Sequence, residues 1–140
     1  MLRNASLVLG ALVCFSAGTL PAAAQTSAQF QVCDKTAKTQ FALDVCASNE
    51  LALRNKQMQS VYSTILSRFA RQPATLAKVK AMQNAWQVYV TAYLDALYPA
   101  ADKQAEYGSI YPMEADLNKA ALTQAHTQDL REIVSRLTPR

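Results

Sequence analysis

The sequence of 140 residues is poor in the residues that break regular structure and in those that do chemistry. It has three glycines, five prolines, three cysteines, one tryptophan and one histidine. Two glycines fall in the first 20 residues, so Gly108 alone remains for the rest of the chain. One glycine cannot build a phosphate-cradling loop, and a lone histidine, His126, leaves no Ser/His/acid set and no metal cluster at readable spacing. The spacing reads His126 as a packed or half-exposed side chain at the margin of an apolar face. No stretch alternates apolar and polar residues in the manner of strands. Enzymatic function, a cofactor and a metal are therefore not expected.

The amino terminus reads as an export signal. Met1-Leu2-Arg3 is basic, Ala5 to Leu20 is an apolar run without charge, and Ala22-Ala23-Ala24 offers a small-residue cleavage site. The run is too short for a comfortable membrane span, and Val13 before Cys14 argues against a lipid anchor. The expectation is a signal peptide over 1–24, then one domain over 25–140, in the bacterial periplasm or outside the cell. That domain would carry a net charge of +3, with no membrane span and no nucleic-acid role. Two cysteines, Cys33 and Cys46, stay with it, an even count in an oxidising compartment, which makes a disulfide the default. A two-cysteine metal or redox site is the rival; no histidine stands nearby to support it.

Prolines divide the domain into three long stretches. A first helix is expected from about Thr39 to Arg71, with Leu51, Met58, Val61, Tyr62, Ile65 and Phe69 at three- and four-residue steps. Phe30–Lys38, pinned back by the disulfide, is either a short helix or a loop. Pro73 opens a second helix to about Leu97, built around Gln83-Asn84-Ala85-Trp86-Gln87-Val88-Tyr89. Trp86 reads as a core anchor, and Gln83 as a margin residue bonded to neighbouring backbone. A third helix is expected from about Glu114 to Leu137. The fold class is all-α: a small three-helix bundle with its amino-terminal segment stapled to the first long helix.

Pro99 to Pro112 is left as a fourteen-residue loop, and loops of that length are more often functional than filler. It carries Tyr107-Gly108-Ser109-Ile110-Tyr111. Charge is segregated around it. Leu51 to Leu94 has no acid but holds Arg54, Lys56, Arg68, Arg71, Lys78 and Lys80, whereas Asp95 to Asp116 sets five acids against Lys103.

Two cysteines before a long helix, Gln83-x-x-Trp86-x-x-Tyr89, Gly108-Ser109-Ile110-x-Pro112, Leu122-Thr123 and a late Leu130 together resemble the LprI-like lysozyme-inhibitor family of exported bacterial helical domains. The chain departs from that pattern at Val90 and Thr91, where relatives commonly carry Arg-Asp. It departs again at Leu94 and Asn118, the places of a second cysteine pair, and at His126, the place of an arginine. The resemblance implies a binding protein that blocks a lysozyme-type glycosidase. Asp102, Glu106, Tyr107, Gly108, Ser109 and Tyr111 are the expected partner contacts, since an anionic, tyrosine-bearing projection suits a cationic enzyme. The alternative is an adaptor or structural protein that holds another envelope protein or a polyanion through its basic helical face.

Overall fold

A computed structural model describes residues 26–137; the expected signal peptide lies outside them. The elements are α1 (Ala28–Thr36), α2 (Gln40–Arg68), α3 (Pro73–Leu97), the short α4 (Lys103–Tyr107), a 3-10 turn (Gly108–Ile110) and α5 (Tyr111–Leu137). Each start has a local cause. The hydroxyls of Ser27 and Thr39 accept the Phe30 and Ala42 amides, the Asp102 carboxylate accepts that of Ala105, and Pro73 stands in the first turn of α3.

The three long helices form the expected bundle. Gln40, at the start of α2, meets Met113 at the start of α5, so these two helices run parallel and α3 returns between their ends. α2 and α5 make the closest approach. Small residues permit it: Ala47 on α2 and Ala115, Ala120, Thr123 and Thr127 on α5 are all buried. Thr123 and Thr127 donate their hydroxyls to the carbonyls one turn back, at Lys119 and Thr123, and so bury no unpaired oxygen. Farther along, Met58, Ile65, Phe69, Val79 and Leu130 form the main core, with Trp86, Met82 and Ile133 against it. The stripe expected on the first helix supplies Met58, Ile65 and Phe69 to this core, with Val61 and Tyr62 packed against it; Leu51 is not part of it.

The Phe30–Lys38 question resolves into helix. α1 folds back on α2 and is held by the Cys33–Cys46 disulfide, whose Cα atoms lie 5.7 Å apart. A second tie was not foreseen. The buried Glu50 carboxylate accepts from the Ser27 amide at 3.0 Å, from the Ser27 hydroxyl, and from Arg54 Nε at 2.8 Å. Burial raises the carboxyl's pKa, yet the Ser27 and Arg54 bonds outweigh it and hold Glu50 below its ordinary value.

The expected loop over 99–112 needs correction. Most of it is helical: α4, the 3-10 turn, and then α5, which begins at Tyr111 rather than Glu114. Pro112 misled because proline is tolerated in a first helical turn, where its missing N–H is not needed. Gly108 separates the two helices with φ +73°, a conformation that side-chain-bearing residues rarely adopt.

Candidate functional site

Two places gather the residues singled out in the sequence. The first is the corner between α3 and α5. Tyr98, at the end of α3, is buried, and the rings of Tyr107 and Tyr111 meet its ring edge-on at 5.3 and 5.0 Å. The Tyr98 hydroxyl donates to Glu114 Oε2 at 3.1 Å and accepts from Asn118 Nδ2 at 3.3 Å. Burial and the Glu114 carboxylate raise its pKa. The Tyr107 hydroxyl accepts the Ala100 amide at 3.2 Å. These tyrosines hold the corner to the bundle, and both Tyr107 and Tyr111 are half-buried.

The charge of this corner sorts itself in the same way. Lys103, its one base, donates to the Tyr98 carbonyl at 2.7 Å and pairs with Asp95 at 3.2 Å, satisfying the negative end of α3. Glu114 is engaged by Tyr98, and Asp116 pairs with Lys119. Asp102, Glu106, Gly108, Ser109 and Ile110 face solvent, together with Gln104 and Ala105. Of the six expected contacts the structure brings all into one corner, four outward and the two tyrosines largely as its frame.

The second place is the middle of α3, where the Gln83-x-x-Trp86-x-x-Tyr89 motif lies. Gln83 is buried and does not bond to backbone as expected. Its amide carbonyl accepts from His126 Nε2 on α5 at 2.8 Å, and its amide nitrogen approaches Met58 Sδ on α2 at 3.8 Å. One side chain thus bridges all three long helices. Trp86 stacks on the His126 ring, with centroids 4.4 Å apart and planes within 4°. Loss of hydration pushes the imidazole below its ordinary 6.5, against the opposing pull of Asp129. Tyr89 is exposed, on the rim of a groove of about 480 Å³ lined by Met82, Trp86, Leu122 and His126. The pairing of Gln83 with His126 escaped the sequence reading, although both residues sit at apolar margins of long helices and each needs a polar partner once buried.

Arg54, Lys56, Arg68, Arg71, Lys78 and Lys80 do not form one patch. Arg54 turns in to Glu50, whereas Arg68, Arg71, Lys78 and Lys80 are exposed around the turn from α2 to α3, at the end of the bundle away from the acidic corner. Among the described residues no three His, Cys, Asp or Glu side chains are placed to hold a metal, and no helix is long and apolar enough to cross a membrane. The family model described as "Lysozyme inhibitor LprI" matches residues 33–130. No curated protein and no solved structure matches the chain.

Proposed function

Because the chain belongs to the Lysozyme inhibitor LprI family, we propose that it is an exported bacterial binding protein that blocks a lysozyme-type glycosidase with the corner between α3 and α5. The observation that carries this reading is a rigid frame with an outward-facing anionic edge. Tyr98, Tyr107 and Tyr111 pack against one another and Lys103 is engaged by Asp95 and the Tyr98 carbonyl, while Asp102 and Glu106 face outward beside the Ser109 hydroxyl. A surface already ordered before contact loses little freedom on binding. Two carboxylates and a hydroxyl complement the cationic body of such enzymes, whose own catalytic carboxylates lie in the cleft between.

Hydrolysis of cell-wall substrate by a lysozyme is measured against rising concentrations of the purified protein. Inhibition is expected, weakening with added salt and falling about tenfold or more in the double variant Asp102→Lys, Glu106→Lys, a loss on the order of 1.4 kcal/mol. Undiminished hydrolysis at high micromolar protein would sink the reading. A second reading, a module docking on an envelope polyanion, draws on the exposed Arg68, Arg71, Lys78 and Lys80. It requires the opposite outcome, in which alanine at those four positions abolishes partner capture and charge reversal at the acidic corner does not.

A further inference from the structure

α3 has more apolar surface than the bundle covers. With about 100° between successive residues, its positions sort into three stripes. Val79, Gln83, Trp86, Val90 and Leu94 face inward, while Lys80, Asn84, Gln87, Thr91 and Asp95 form a narrow polar stripe. The third stripe, Ala85, Val88, Tyr89, Ala92 and Tyr93, is apolar and faces solvent. Val88 is 70 % exposed, Tyr89 52 % and Tyr93 37 %. A surface helix ordinarily has one apolar face, and α3 has two.

We infer that this outer stripe is the seam of a two-fold homodimer in which α3 packs antiparallel against α3 of a second copy. Two independent features select that occupant. The first is charge. The amino-terminal end of α3 is basic through Arg71, Lys78 and Lys80, and its carboxy-terminal end abuts Asp95, Asp102 and Glu106. Antiparallel pairing sets each basic end beside the partner copy's acidic corner, twice over, whereas parallel pairing opposes like charges. The second is shape. The groove beside Met82, Trp86 and Tyr89 opens on the amino-terminal half of the stripe, and Tyr93 projects from its carboxy-terminal half. Both lie on the flank nearer α5. A two-fold axis perpendicular to the helices keeps like flanks together, so it brings the projecting side chain of each copy over the groove of the other. Ala85 and Ala92 leave room for the backbones to approach.

The inference draws on the same acidic corner as the proposed lysozyme inhibition, but its readout is mass rather than activity and its seam variants, Val88→Glu and Tyr93→Glu, lie outside that corner, so either reading can fail without the other. Sedimentation equilibrium of the purified protein from low to high micromolar concentration is expected to give twice the chain mass, with dissociation favoured by salt. Val88→Glu and, separately, Tyr93→Glu are expected to weaken the dimer about a hundredfold or more while helical circular dichroism is unchanged, since both side chains are exposed in the single copy. Lys78→Glu is expected to weaken it about tenfold, and mixing that variant with Asp102→Lys to recover much of the loss. A monomer throughout that range overturns the inference. So does a dimer indifferent to both glutamate variants, or a monomer that instead co-sediments with lipid vesicles through the same stripe.

Discussion

The seam between α2 and α5 and the contact of α3 with both are built on different plans. At the seam, alanines and threonines let two parallel helices come close, and their hydroxyls turn back on their own helices. α3 is held at a greater distance by Val79, Trp86 and Leu94, with Gln83 as a polar strut to each neighbour. Close approach buries these small side chains, whereas packing through large side chains leaves a groove along one edge and a second apolar face outside. The first arrangement serves stability. The second provides surface, and the acidic corner at the end of α3 extends it.

The sharpest way to break this contrast is to remove bulk from each side. Leu130→Ala, where the residue is fully buried in the main core, is expected to cost about 2–5 kcal/mol in chemical denaturation. A loss below about 1 kcal/mol would mean that the core collapses around the gap and that the inner packing is not the rigid part. Replacing Cys33 and Cys46 together by alanine should remove about 3 kcal/mol in the chain-entropy account. Hydrogen exchange should then rise first in α1, because Glu50 still links Ser27 to α2 but nothing covalent does. Uniform acceleration across α2 and α5 would show α1 to be integral to the seam.

Gln83→Ala tests the strut. It leaves His126 Nε2 buried without its acceptor and is expected to cost about 1–3 kcal/mol. Burial of His126 also sets a dependence on pH. The folded protein holds the His126 imidazole below its ordinary 6.5, so the unfolded chain binds the proton more readily. This stability is complete above 6.5 and is lost as pH falls from there through the folded value. Glu50, also held down, adds a further loss of the same sign at lower pH, below its ordinary 4.5. Melting temperature should therefore decline on acidification in two stages, and a His126→Leu variant should lack the first. The smallest effect is expected outside: Val88→Thr, measured at concentrations too low for self-association, should change stability by no more than about 0.5 kcal/mol. A larger change would place Val88 in the fold of the single chain.

Much of this was legible in the residues. The steps of Met58, Ile65 and Phe69 located the core, Pro73 began α3 at its observed start, and two cysteines paired as their number suggested. What escaped depended on partners distant in the chain. Glu50 reads as an ordinary helix charge until Ser27 is brought to it from 23 residues away. The 99–112 segment reads as a loop because two prolines bound it, while in the structure Asp102 caps α4 and three tyrosines pack around the helical segment.

The sequence by itself determined the number of long helices, their approximate ends, the staple near the front and the separation of basic from acidic stretches. These follow from signals a few residues apart: a periodicity, a proline, a cap, a charge run. Only the tertiary structure decided that Gln83 meets His126, that Tyr107 and Tyr111 brace the corner they were expected to reach out from, and that α3 keeps an apolar face in water. Each of those depends on how far apart two helices settle and how they are turned. That is fixed by the fit of side chains from distant positions, which no local pattern contains.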